Sequence, residues 1–455
     1  MLTPILAAVL MAPASTVIVD VSIVDPVANS IRANQKVEFA GDRIVSITTG
    51  KPNPKAKRID GKGKFLIPGL WDMHVHWYDK PTLGLFTANG VTGIREMFGT
   101  RELLAWRDAI EAGKMTGPRM VVGSPIVDGP KPFWQGSLAA GTEEEGRAAL
   151  RQVKKAGYDF VKVYSFLPPP AYFGIMDEAK KLGFPADGHI PSRVSISQAI
   201  QAGHRCAEHL YGFALSSARR EDEFRRAIER FAPKGPNGIM DAQWYMEDAI
   251  AASLDLDKES AVFAQLKEGS MFQCPTLVVL HSIANFFDPA FRANHPHKDY
   301  MFKSAMDGFW QPPKSPNLKQ HLELERKAYE RHFAVFKRMH KAGVTIVAGT
   351  DVLNPYTFPG FSLHDELQLF VKGGMTPAQA LCTATINPAR MLKKQNTMGT
   401  IKTGNVADMV LLDANPLADI TNTKRISAVV QRGKVFGSRE IESIKSKARA
   451  YFKKN

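Results

Sequence analysis

A chain of 455 residues with 44% hydrophobic and 23% charged residues can bury a large core, and its length suits one large domain with a smaller companion; it is too apolar to be a disordered tail. Lys and Arg outnumber Asp and Glu by 59 to 45, a net charge of +14. The basic residues are scattered, with no run of five or six, so the pattern excludes a nucleic-acid stripe and leaves solubility as the role of the charge. Cys206, Cys274 and Cys382 form no C-x-x-C pair, which excludes a disulfide framework and a thiolate zinc centre.

In chain order, residues 1–15, MLTPILAAVLMAPAS, form a short apolar stretch closing on A-P-A. They predict a secretory signal and a periplasmic or secreted protein, although the usual positive n-region is missing. The alternatives are a remnant of a longer leader or simply a first strand, and a cytoplasmic protein if there is no export. No later segment reaches 18 uncharged apolar residues, so no membrane-spanning helix is expected. Residues 16–67 alternate β-branched and polar residues around an Ala40-Gly41-Asp42 turn and predict small antiparallel strands, the first part of a β-sandwich.

From residue 68 to 398 the texture becomes βα. Strands are predicted at 70–76, 90–97, 119–127, 159–165, 184–189, 205–210, 271–279 and 344–351, separated by helical stretches. Eight such units predict an α/β fold, a (β/α)8 TIM barrel. Thr376, Pro377 and Gln379 read as a capping box with Pro at the first helical position, and Gly157 and Gly343 end helices before strands. Two stretches, about 212–270 and 280–330, are too long for ordinary βα loops and predict lid insertions. Residues 399–455 return to strands and turns, the second part of the β-sandwich, and end in a basic tail.

The strand period of two places His74 and His76, in GLWDMHVHWYD, on one face. Lys162, His189, His209 and Asp351 fall at the ends of other predicted strands. A strand-end His is more often a structural residue, and a lone Asp before a loop is usually a helix cap. Six such groups on one barrel rim instead describe a divalent-metal site, since imidazole and carboxylate suit Zn²⁺. Tyr164 shares a face with Lys162 and either hydrogen-bonds a substrate carbonyl or packs under a lid. Trp77 and Tyr78 wall the pocket or shield the metals. Arg95, near the end of strand two, and His281, past strand seven, are the remaining substrate-binding candidates. His364 reads as a structural hydrogen-bonder.

The segments IPGLWDMHVH, VKVY, ADGH, AEHL, AGTD, GFSLHDEL and ATINPARML together resemble the amidohydrolase superfamily, in its imidazolonepropionase-like and Xaa-Pro dipeptidase-like (prolidase-type) branch. The similarity runs from about residue 16 to 436. The resemblance implies that His74, His76 and Asp351 hold one metal, that His189 and His209 hold a second, and that Lys162 bridges both once carboxylated by CO₂. A free ammonium has no lone pair to offer; a Lys162–Asp351 pair in a mononuclear enzyme is the alternative. Two Zn²⁺ ions would share a hydroxide, with Asp351 as general acid and base, to cleave an amide or peptide bond in a dipeptide or N-acyl amino acid. An ester, lactone or cyclic amide is the alternative substrate. A non-catalytic scaffold on the same fold would lack the ligands, and here all six positions are filled. The expected partner is a small-molecule substrate, and a homo-oligomer is left open.

Overall fold

The computed structural model describes residues 15–312 and 318–454, so the expected leader lies outside the described residues apart from Ser15. Five strands come first: β1 (Ser15–Asp25), β2 (Ser30–Ala40), β3 (Arg43–Thr48), β4 (Lys57–Asp60) and β5 (Phe65–Pro68). The middle of the chain supplies β6 (Leu70–Val75), β7 (Val91–Glu96), β8 (Arg119–Val122), β9 (Val127–Asp128) and β10 (Leu138–Ala139). It continues with β11 (Val161–Val163), β12 (Ala186–Gly188), β13 (Cys206–Glu208) and β14 (Phe272–Cys274). The last strands are β15 (Met409–Leu412), β16 (Ile426–Gln431) and β17 (Lys434–Gly437).

The two ends of the chain share one mixed sheet, ordered β17-β16-β15-β5-β1-β2-β3 with β4 beside β1. The seam is the antiparallel pairing of β5 with β15, Leu66 opposite Leu411. One face of this sheet buries Ile18, Val21, Phe39, Leu66, Met409 and Leu411 against one another. Each such side chain contributes about 1.5–3 kcal/mol by leaving water, which holds segments more than 300 residues apart in sequence together.

The middle strands are parallel, in two runs: β6-β7-β8, and β10-β9-β11-β12-β13-β14. Isolated parallel bridges join Gly123 to Phe160, Gln273 to Ile346, and Val75 to Val352. β6 and β7 are buried at every position, as strands covered on both faces must be.

Three expected strands differ. The third breaks at Gly123-Ser124-Pro125 into β8 and β9, because proline has no N–H to give a sheet. The seventh stops at Cys274, and Leu277–Asn285 is a helix. Thr276 turns the chain with φ 48°, and the Glu366 carboxylate accepts from the N–H of Leu277 at 2.9 Å and of Val278 at 2.6 Å. The β-branched pair Val278-Val279 imitates a strand locally, and this distant carboxylate overrides it. Residues 344–351 pair on both sides, through Val347 N to Gln273 O at 2.9 Å and Met73 N to Ala348 O at 2.8 Å, without forming a regular strand.

The helical punctuation is as expected: Thr376 and Gln379 form the reciprocal capping box, and Gly157 and Gly343 adopt φ of 86° and 78°. The insertion after β13 is helical over Glu221–Phe231, Pro236–Ala252 and Leu256–Glu268. The next folds Trp310 against Tyr356 and Phe358 and runs into the helix Leu318–Lys341. No helix among the described residues is long and apolar enough to cross a membrane.

Candidate metal centre

His74 lies on β6, which continues into His76. Their Nε2 atoms converge on Asp351 Oδ1, at 3.3 Å and 3.2 Å. His209 brings Nδ1 to 3.8 Å from Asp351 Oδ2. The ring of His74 is 4.6 Å from that of His209, and His189 is 4.8 Å from His209. Ligand atoms of His74, His209 and Asp351 all lie within 4.8 Å of one another. Lys162 is buried at the same strand level, on β11 beside β12. The structure thus brings together imidazoles from three strand ends and a carboxylate from residues 344–351.

The backbone is bent to achieve this. His209 and Asp351 sit in the left-handed region, with φ of 60° and 56°, a conformation costing about 1–2 kcal/mol for an L-residue. Gly349 is required by close approach, since a Cβ there would lie 2.5 Å from Cys274 Sγ and 2.8 Å from His74 Cβ.

The polar groups that fix the imidazoles escape the strand-end pattern. Glu208 accepts from His74 Nδ1 at 2.8 Å, Ser165 Oγ meets His189 Nδ1 at 2.8 Å, and Thr276 Oγ1 meets His209 Nδ1 at 2.7 Å. For His74, holding Nδ1 leaves Nε2 facing Asp351, the arrangement metal-binding histidines require. Asp72 ties β6 to residues 344–351, accepting from Thr350 N at 3.0 Å and Thr350 Oγ1 at 2.7 Å. The available signal was the charge inside short apolar strands: Arg95, Asp187 and Glu208 occupy β7, β12 and β13, and charges so placed must pair.

Burial sets the protonation of the cluster. It pushes His209 down to about 4 and His74 and His189 well below the usual imidazole range, so these rings are neutral. Burial would raise Asp351, but the imidazoles of His74, His209 and His76 outweigh it and hold the carboxyl well below the usual range. Burial also brings Lys162 down to about 8. His74 Nε2 and Lys162 Nζ are buried and have no hydrogen-bond partner among the described residues. Buried polar atoms are rarely left so. Two orphaned nitrogens among neutral imidazoles and an ionised carboxylate fit a divalent cation.

The other candidates divide. Tyr164 belongs to the site: its ring stacks on His189 at 4.2 Å, and its hydroxyl accepts from Trp134 Nε1 at 2.7 Å. Tyr78 is 42% exposed and donates to Phe98 O at 3.1 Å. Trp77 is corrected: at 1% exposure it packs edge-on against Phe86 and Phe452, in the core and not on a pocket wall. Arg95 is corrected too. It is fully buried, with Nη1 3.0 Å from Asp187 Oδ2, Nη2 2.8 Å from Glu208 Oε1 and Nε donating to Met73 O, so all three of its nitrogens are engaged inside the protein. His281 lies on a helix rather than in a loop past the seventh strand, edge-on to Tyr329 and Phe291. His364 makes two structural hydrogen bonds, to Thr423 Oγ1 at 2.9 Å and Asn89 O at 3.0 Å.

An α/β fold that gathers histidines, a lysine and an aspartate at the ends of parallel strands defines a metal-dependent hydrolase. The chain belongs to the amidohydrolase family, which it matches over residues 65–436. It is similar to ochratoxinase of Aspergillus niger, 24% identical over 438 residues, covering 82% of this chain and 75% of that one. A shorter similarity links it to imidazolonepropionase of Fusobacterium nucleatum, 35% identical over 88 residues, 19% of this chain and 21% of that one. Its fold is that of a Xaa-Pro dipeptidase crystallised with methionine in the active site, at TM-score 0.67 and 18% identity, covering 93% of this chain and all of that one.

Proposed function

We propose that this centre cleaves the amide bond of a dipeptide or N-acyl amino acid, with His74, His76, Lys162, His189, His209 and Asp351 holding two divalent ions, zinc in the first instance. The observation that carries the reading is the pair of buried, unpartnered nitrogens, His74 Nε2 and Lys162 Nζ, inside one cluster of neutral imidazoles around Asp351. The scaffold that fits it is a (β/α)8 barrel, supported by the parallel order of β6 to β14, by the bridge Gly123–Phe160 between the two runs, and by the bridges that tie β14 and β6 to Ile346 and Val352. The sheet shared by both chain ends supports a β-sandwich domain beside it.

Bound metals would supply polarisation of the scissile carbonyl and acidification of water. The chain's own groups do the rest. Asp351, ionised at working pH, accepts a proton from the attacking water and returns it to the leaving nitrogen. The Tyr164 hydroxyl already accepts from Trp134, which leaves its own proton to donate to the carbonyl oxygen; burial keeps it protonated by raising its pKa. Lys162, lowered to about 8 by burial, offers a neutral amine that CO₂ can carboxylate, with loss of one proton, to a carbamate ligand.

The test is metal analysis of the purified protein, an intact-mass search for one added CO₂ on Lys162, and a screen of dipeptides, N-acyl amino acids, esters and lactones. Bound divalent metal and amide turnover are expected; turnover of esters or lactones alone would keep the site and change the bond. A protein that binds no divalent metal, and whose Asp351→Asn variant is as active as the parent, would end the proposal. Export belongs to the same reading, and the mature N-terminus of the secreted fraction decides it.

A further inference from the structure

Three of the four imidazoles at the centre have Nδ1 held by a close partner: His74 by Glu208, His189 by Ser165 and His209 by Thr276, at 2.7–2.8 Å. His76 differs. Its Nδ1 faces Glu96 Oε1 at 3.7 Å, too far for a hydrogen bond, and its side chain is 21% exposed. The ring is therefore aimed by the backbone that carries it. That backbone is fixed from both sides. The His76 N–H donates to Val352 O. The next residue, Trp77, donates its N–H to Glu96 Oε2 at 2.9 Å and its indole N–H to Asp79 O at 3.1 Å. The Asp79 carboxylate in turn accepts from the Thr82 hydroxyl and, at 3.0 Å, from the Tyr451 hydroxyl.

Tyr451 comes from the other end of the chain. The helix Ser438–Lys454 follows β17, and what reads in sequence as a basic tail is amphipathic, with Ile441, Ala448 and Phe452 buried. Phe452 lies edge-on to Trp77 at 6.4 Å and to Phe302 at 4.8 Å. Ile444 abuts Gly84, where a Cβ would come within 3.1 Å of it. Arg449 Nη1 donates to the Tyr300 hydroxyl at 2.9 Å, and the Lys445 ammonium lies over the Phe361 ring at 5.4 Å. One helix thus holds three segments, which follow β6, β14 and residues 344–351. The first and last of these lead on from His74, His76 and Asp351, the residues that would hold one metal.

We infer that the helix Ser438–Lys454 is a strap that positions His76. Tyr451 and Phe452 fix Asp79 and Trp77, and these fix the backbone from which the His76 ring reaches the metal position. Both act through Asp79 and Trp77 and are positioning residues. The metal part of the inference rests on the proposed centre; the hold on residues 77–83 does not.

The test measures amide hydrogen exchange in the metal-free protein, and metal retention against a competing chelator, in the parent, Tyr451→Phe and Phe452→Ala. Tyr451→Phe removes only the hydroxyl that donates to Asp79. Exchange over residues 77–83 should quicken by roughly tenfold, the weight of one hydrogen bond to a charged group, while β12 and β13 stay as slow as in the parent. Phe452→Ala should quicken it further. One metal should be lost about 10- to 100-fold more readily, as when other groups that orient a metal-binding histidine are removed, and the second should be held as before. Unchanged exchange over 77–83 in both variants would overturn the inference. So would exchange that rises equally in β12 and β13, the mark of a helix that only stabilises the whole fold. Faster exchange with unchanged metal retention would refute the positioning of His76. If Phe452→Ala does not fold, Tyr451→Phe decides on the same criteria. If the parent binds no divalent metal, the proposed centre fails, and exchange over 77–83 alone decides whether the helix is a strap.

Discussion

Glu208 joins two networks, so its replacement tests both. Its fully buried carboxylate accepts from Arg95 Nη2 and from His74 Nδ1, each at 2.8 Å. Arg95 has a second partner, Asp187, but that carboxylate also pairs with Arg205. The buried set of two cations and two anions becomes, in Glu208→Gln, two cations and one anion. Breaking a buried pair costs about 3–5 kcal/mol, and because the Gln amide oxygen still accepts one hydrogen bond, about 3 kcal/mol is expected. His74 loses the anion that orients it, for which a 10- to 100-fold loss of metal affinity is typical. Urea unfolding of the metal-free protein reads the first effect, and metal retention against a competing chelator reads the second. Asp187→Asn separates them, because it breaks the Arg95 pairing without touching His74; it should lose stability with a smaller loss of metal affinity. Unchanged metal retention in Glu208→Gln would refute the claim that Glu208 positions His74.

Other expectations follow from the same geometry. Asp351→Asn removes the proposed proton acceptor and one proposed ligand charge, and kcat should fall by roughly 10²- to 10⁴-fold, read by steady-state kinetics alongside metal content. Gly349→Ala forces a methyl against Cys274 Sγ and His74; about 1–3 kcal/mol should be lost, seen in the urea midpoint. In metal-free protein in CO₂-free buffer, Lys162 titrates near 8 folded against 10.5 in its ordinary state. Between these values the unfolded chain holds the extra proton, so this contribution to stability rises with pH through that window and is absent below it. Lys162→Met should flatten that rise and be the more stable protein below pH 8, by up to about 3 kcal/mol; an identical pH profile in the two proteins would contradict the buried-amine assignment. Trp134→Phe takes away the donor to Tyr164 and should lower kcat/KM by about tenfold with metal content unchanged.

What the sequence by itself determined was whatever depends on local periodicity and on residue type. The period of two put His74 and His76 on one face, the alternation of strand and helix announced an α/β fold, and Thr376 with Gln379 announced a helix start. His189, His209 and Asp351 were legible as candidates because each follows a short strand-like run, and Lys162 because it is a lone charge inside one. Tertiary structure decided what local rules leave open. Periodicity says which residues share a face but not which face meets the cleft, so Trp77, next to His76, goes into the core, and Arg95 goes to an internal ion pair. Val278-Val279 has strand character, yet Glu366, from almost 90 residues away, caps a helix there. Glu208, Thr276 and Ser165 found their roles only when separate strands came into register. The sequence named the groups able to bind a metal; the fold chose their neighbours, because burial turns an unpaired charge into a cost that only another segment can remove.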